Sequence, residues 1–178
     1  MPAPTDRPSP STGFLVWHLN LRWRTAIDRA LAPLGLTSSQ YGVLASLSAF
    51  SAGGARPRQR ELADFIGLEP MHVSKLTRAL ERAGLVERTD HPGDTRAVQL
   101  TVTERGAEVV TAAREEVLRV EEQRLAPLGG RRSEQSTALT EMLLTLLRHA
   151  ETLNSDRATS EPEQPLSHTQ AAQDKEVS

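Results

Sequence analysis

The 178-residue chain contains no cysteine. That excludes a disulfide framework, a thiolate zinc site and any sensor or catalyst built on a thiol. Aromatic residues make up only 3% of it, so no core of large rings is available. No apolar run approaches the roughly 18 residues that a membrane helix needs. The first twelve residues are rich in Pro, Ser and Thr and lack an apolar signal core, which predicts a cytoplasmic protein with no membrane partner. Charge of one sign is also missing: 21 basic residues face 23 acidic ones, for a formal net charge of −2. By itself that balance argues weakly against nucleic-acid binding. What is present, 38% hydrophobic and 25% charged residues, is an ordinary globular composition, long enough to bury one real core.

The charge is segregated. Between Arg56 and Arg105 nine basic residues meet eight acidic ones, a net +1, whereas Ser155 to Ser178 carries two basic and five acidic residues, a net −3. A binding surface in the middle therefore depends on placing its cations on one face. Residues 1–12 and 155–178 have little to bury and read as disordered tails around a single domain at 13–154.

Within that domain, Leu15, Leu19, Trp23, Ala26, Ile27, Ala30 and Leu31 recur at helical spacing, so a helix is expected over about 14–32, stopped by Pro33 and Gly35. Thr37 and Gln40 have capping-box spacing, and a second helix should run from there to about Phe50. After a Gly/Pro loop come two helices, about 59–66 and 70–83, separated by Gly67, with Pro70 in the first turn of the second. That is a helix-turn-helix pattern. Strands are expected over about 85–89 and 96–102, around the turn-forming run Asp90-His91-Pro92-Gly93-Asp94. Thr103 can cap a long helix to about Leu125, and a last helix over about 133–154 carries Leu139, Met142, Leu143, Leu146, Leu147, Ala150 and Leu153. The fold class is thus mainly α with a small β-hairpin wing. A winged helix-turn-helix at about 37–102 is joined to further helical segments at about 14–33 and 103–154.

The helix at 70–83 carries the functional arithmetic. With Val73 at zero and about 100° per residue, Leu76, Leu80 and Ala83 fall at about 300°, 340° and 280°. Arg78, Met71, Arg82 and Lys75 fall at about 140°, 160°, 180° and 200°, Ser74 at about 100° and His72 at about 260°. Cations therefore lie opposite the core. Such a face is either an ordinary solvated one or, on the second helix of a helix-turn-helix, a reader of the DNA major groove. Glu81 would repel phosphate there, and its spacing suggests a pair with Arg78 or Arg82. Asp94 and Arg96 alternate along a strand, so the carboxylate can orient the guanidinium. That pair either staples the turn or aims Arg96 at a narrow minor groove.

Gln59-Arg60-Glu61-Leu62-Ala63, Gly67-Leu68-Glu69-Pro70, Val73-Ser74-Lys75-Leu76 and Leu80-Glu81-Arg82-Ala83-Gly84-Leu85-Val86-Glu87-Arg88, followed by Asp94-Thr95-Arg96-Ala97 and Thr103-Glu104-Arg105-Gly106, resemble the MarR family of bacterial transcription regulators. Leu34-Gly35-Leu36-Thr37 to Leu44 is similar to its second-helix entry, and the likeness spans about residues 14–150. The resemblance implies a homodimer, joined through helical dimerisation segments at about 14–33 and 103–154, on double-stranded, pseudo-palindromic operator DNA, most simply a repressor released by a small ligand. It implies DNA contacts from Met71, His72, Ser74, Lys75, Arg78, Arg82, Arg88, Asp94 and Arg96. Two positions depart from the family pattern: Arg58 and Glu69 stand where Ser or Thr often caps a helix. The resemblance also implies a crevice between the DNA-binding lobe and the dimerisation helices that accepts small aromatic acids or phenols. Trp17, His18, Arg22 and Trp23 border it, although Trp23 also fits the apolar stripe and Trp17 a dimer core.

No catalytic constellation accompanies these motifs. The five histidines are scattered, no phosphate-binding Gly loop or Gly-X-Ser-X-Gly elbow occurs, and neither a metal nor a cofactor is expected. A winged-helix protein-interaction module and a DNA binder without a ligand are the competing readings.

Overall fold

The computed structural model describes residues 9–91 and 94–160, with side chains except at 90–97 and 154–160. Two compact units divide the chain between Arg131 and Arg132.

The first unit opens with helix α1, Thr12–Leu31. It starts two residues before the expected point because the Ser11 hydroxyl accepts the Phe14 N–H at 3.3 Å. A single 3-10 turn containing Pro33 and a left-handed Gly35 (φ 70°) end it. Helix α2, Ser38–Ala52, begins with the anticipated capping box. There the Gln40 N–H reaches the Thr37 hydroxyl at 3.2 Å and the Thr37 N–H reaches Gln40 Oε1 at 2.8 Å. Helix α3, Gln59–Ile66, and helix α4, Pro70–Arg82, form the helix-turn-helix, with Gly67 at φ 66° between them.

Neither departed cap position leaves its helix disordered. At α3 the Arg58 N–H donates to Glu61 Oε2 at 2.9 Å, so the third residue of the helix supplies half of a capping box. At α4, Glu69 makes no side-chain cap, but Pro70 presets the first-turn φ and its missing N–H needs no partner.

Strands β1, Val86–His91, and β2, Asp94–Val102, pair antiparallel from Val86↔Val102 to Asp90↔Val98. The register slips before His91↔Asp94, so the hairpin is longer than expected and irregular at its tip. A bridge from Arg58 to Gln99 and a bond from the Leu100 N–H to the Pro57 carbonyl (3.2 Å) tie the start of α3 to this hairpin.

Helix α5, Glu104–Leu125, leaves the hairpin through Thr103. The Thr103 hydroxyl accepts the Gly106 N–H at 3.0 Å and donates to the Gly84 carbonyl at 2.8 Å. Gly106 is pressed against the Leu85 carbonyl so closely that a Cβ there would collide with backbone. Leu31, Val43, Leu44, Leu47, Leu62, Val73, Leu80, Val86, Leu100 and Ala113 are buried in one core that draws on α1 to α5 and the hairpin. The N-terminal half of α1 is different: Phe14, Leu15, Val16, Trp17, Leu19 and Leu21 are each about half exposed.

The second unit contains helix α6, Glu134–Ser160. Ser133 starts it by accepting the Ser136 N–H at 3.1 Å. The helix runs six residues beyond the expected end and into the segment read as tail, since nothing between Asn154 and Ser160 breaks a helix and the next proline is Pro162. Met142, Leu146, Leu147 and Leu153 are exposed on it. Among the described residues no helix is long and apolar enough to cross a membrane.

Candidate nucleic-acid interface

Helix α4 turns Val73, Thr77 and Leu80 into the core. Thr77 is accommodated because its hydroxyl donates to the Ser74 carbonyl at 3.1 Å. Ala83, placed on the apolar face by the helical wheel, is instead exposed, because the helix ends at Arg82 and Ala83 is its C-cap. The buried direction therefore centres near Val73. On the same wheel the opposite pole, at about 190°, falls between Arg82 and Lys75. Met71, His72, Lys75, Arg78 and Arg82 are all exposed, and Met71 keeps 84% of its surface open.

Ser74 and Arg78 lie on one flank of that pole. Together with Arg58, Gln59 and Arg60 of the α3 start, and Arg88 and Val98 of the hairpin, they line an open cleft of about 440 Å³. Four guanidiniums thus converge where α3, α4 and the hairpin meet. Arg and Lys at such a junction neutralise phosphates, while the exposed helix face reaches base edges.

Three sequence expectations change here. Glu81 pairs with neither Arg78 nor Arg82; its carboxylate lies 3.8 Å from Arg88 on β1. Arg82 Nε instead donates to the Arg78 carbonyl at 3.3 Å. The reason is tertiary: the hairpin brings Arg88 against the α4 end, and that partner is invisible to helical spacing. Arg88, 19% exposed, is therefore a partly neutralised wall of the cleft rather than an open cation. Finally, Arg58 and Arg60 escaped sequence reasoning, which treated Arg58 only as a missing cap. The alternation Arg56-Pro57-Arg58-Gln59-Arg60 was the available signal. Asp94 and Arg96 lie on β2 near the hairpin tip, but their side chains are outside the described residues.

The four residues assigned to a ligand crevice are only partly brought together. His18 and Arg22 line a cleft between α1 and the end of α5. Trp17 touches it indirectly, with its ring 5.8 Å from that of His18. Trp23 is half-buried and not part of its lining. Among the described residues no group of three or more His, Asp or Glu could hold a metal ion.

Residues 36–98, from α2 through the hairpin, match the MarR family. An HTH-type transcriptional regulator of Bacillus subtilis, YdcH, is 41% identical over 106 residues, which cover 60% of this chain and 72% of that protein. The chain belongs to the MarR family. A second relative, the HTH-type transcriptional repressor Rv2887 of Mycobacterium tuberculosis, is 32% identical over 113 residues, covering 64% of this chain and 78% of the relative. Among solved structures, the transcriptional repressor CouR bound to a 23-mer DNA duplex superposes with a TM-score of 0.70 at 29% identity, over 83% of this chain and 99% of that one. This MarR-family chain is a DNA-binding transcription regulator, with a winged helix-turn-helix built from α3, α4 and the hairpin.

Proposed function

We propose that this regulator is a homodimeric, cytoplasmic repressor that grips a pseudo-palindromic operator and is released by a small ligand. The observation that carries the DNA geometry is the continuity of two cationic surfaces: the exposed face of α4 and the arginine cleft beside it. Lys75 and Arg78, with Met71, His72, Ser74 and Arg82 around them, enter the major groove. Arg58 and Arg60 sit at the phosphates that flank it. Arg96 acts from the wing in the minor groove, where readout is by width and negative potential, and Asp94 orients it. Arg88 shapes the cleft through its contact with Glu81.

Homodimerisation is supported by the apolar faces that α1 and α6 each leave exposed. Burying one large aliphatic side chain contributes about 1.5–3 kcal/mol, so such faces favour a cover. A two-fold dimer presents two identical readers, which makes half-sites about one helical turn apart the fitting DNA geometry. Repression is favoured by the relatives Rv2887 and CouR, both of which are transcriptional repressors. Ligand release by a small aromatic acid or phenol is favoured by the placement of His18 and Arg22 on a cleft.

Retention of labelled genomic fragments in the presence of excess competitor DNA tests the assignment. The expected result is selective retention of a few fragments by the wild type and its loss in Arg78→Ala. Equal retention of all DNA, or none, would contradict it. Adding a panel of aromatic acids and phenols to the retained complex tests release.

A further inference from the structure

One cation on the exposed face of α4 differs in kind from the others. Of the 21 basic residues in the chain, 19 are arginine and two, Lys75 and Lys175, are lysine. Lys75 is the only lysine among the described residues. The cations around it, Arg58, Arg60, Arg78, Arg82 and Arg88, all carry guanidiniums. A guanidinium stays protonated and is no nucleophile, whereas an ammonium that gives up its proton becomes a reactive amine. Contact with DNA calls for a cation here and is served by either type. The single amine therefore brings a reactivity that its neighbours lack.

Lys75 stands at about 200° on the wheel, close to the pole of α4 that faces away from the core. It is exposed and makes no hydrogen bond or ion pair among the described residues. No carboxylate occurs between Met71 and Ala79, and Glu81 lies against Arg88 at 3.8 Å. His72 precedes Lys75 by three residues and Arg78 follows it by three, and both are exposed. Residues three apart on a helix are neighbours, with Cβ atoms about 5–6 Å apart. The amine is thus flanked by an imidazole that can take a proton and by a guanidinium that can hold an oxyanion. That guanidinium also lines the arginine cleft. Lys175 has the opposite neighbours in sequence, Asp174 and Glu176.

We propose that Lys75 is an acylation site for acyl phosphates, and that acylation switches off the DNA-reading face of α4. Arg78 holds the donor's phosphate through paired N–H groups and so brings the acyl carbon to Lys75 Nζ. His72 takes the proton that frees the amine. Nζ attacks the acyl carbon, the C–N bond forms and the C–O bond to phosphate breaks. Inorganic phosphate leaves with one amine hydrogen. The amide that remains has lost the positive charge and its strong donors. Only the consequence for operator binding rests on the repressor reading above; the modification itself does not.

The test is incubation of the full-length protein with acetyl phosphate, followed over time by peptide mass mapping. Lys175 is the reference within the same chain. Lys75 is expected to be acetylated roughly tenfold faster, because clustered cations raise the local concentration of an anionic donor. Added salt should slow Lys75 more than Lys175. Arg78→Gln and His72→Gln, both at exposed positions, should each slow Lys75 and leave Lys175 unchanged. Similar rates at the two lysines, or no slowing by either substitution, would overturn the site. On a retained genomic fragment, protein acetylated at Lys75 is expected to bind roughly tenfold or more weakly, the loss of one good base contact. Lys75→Arg carried through the same treatment should keep the affinity it had before treatment. Unchanged binding by the acetylated wild type, or an equal loss in Lys75→Arg, would overturn the switch. If the untreated wild type retains no DNA, the repressor reading fails, while the mapping still decides the modification.

Discussion

At the scale of single residues, the proposed DNA surface divides into side chains assigned to read bases and side chains assigned to hold the backbone. Arg78 lies on the flank of α4 between the exposed face and the cleft. Arg78→Ala is expected to lower operator affinity by about 1–3 kcal/mol and to relax base preference at one position of each half-site, if its contact is a bidentate one to guanine. Binding to a set of singly substituted operators checks this. Arg60→Ala should weaken all sequences alike and reduce the slope of log affinity against log salt by about 1, which a salt titration measures. Arg96→Ala should also weaken most sequences while leaving folding and dimerisation intact, and Asp94→Ala should give a milder form of that defect. Wild-type affinity of Arg96→Ala at physiological salt would return the pair to the role of a turn staple. The exposed placement of Lys75 and Arg78 opposite the core was legible from 100° arithmetic alone, because α4 is a regular helix with one buried face. Arg58, Arg60 and the Glu81–Arg88 contact were not, because each depends on where the hairpin crosses the helices. No local spacing encodes that crossing.

At the scale of elements, the junctions rather than the helix interiors decide whether the reading head is presented correctly. Thr37→Ala removes one half of the α2 capping box and should cost about 1 kcal/mol, visible as a lower midpoint in urea unfolding. Gly106 joins the hairpin to α5 and touches the Leu85 carbonyl, so even one methyl forces the wing and α5 apart. Gly106→Ala should destabilise by about 1–3 kcal/mol or more and weaken DNA binding beyond what stability alone explains. Unchanged thermal unfolding would refute that contact. The order of elements and most boundaries were readable in the sequence, since caps, Pro33, Gly67, Pro70 and Thr103 punctuate it. The misreadings occurred where punctuation is absent: α6 continues past Asn154 to Ser160, and the strands extend into the turn-forming run. The register shifts between Asp90 and His91, and turn composition does not specify it.

At the scale of the whole molecule, a nearly neutral chain binds a polyanion because its charges are sorted by place. The net −2 conceals a cleft with four arginines and a helix face bearing Lys75, Arg78 and Arg82. It also conceals apolar faces on α1 and α6 that composition cannot reveal, since their Leu and Met residues are ordinary in number and unusual only in exposure. Replacing Leu146 and Leu147 together by Glu should shift the protein from dimer to monomer in sedimentation and abolish operator binding at the same concentration. The central claim is that two copies present two α4 helices to one two-fold-related stretch of DNA. Nuclease footprinting of the wild type on a retained genomic fragment tests it most directly. The account predicts two symmetric protected half-sites about one helical turn apart, both lost in Arg78→Ala. A single asymmetric protected half-site would contradict it.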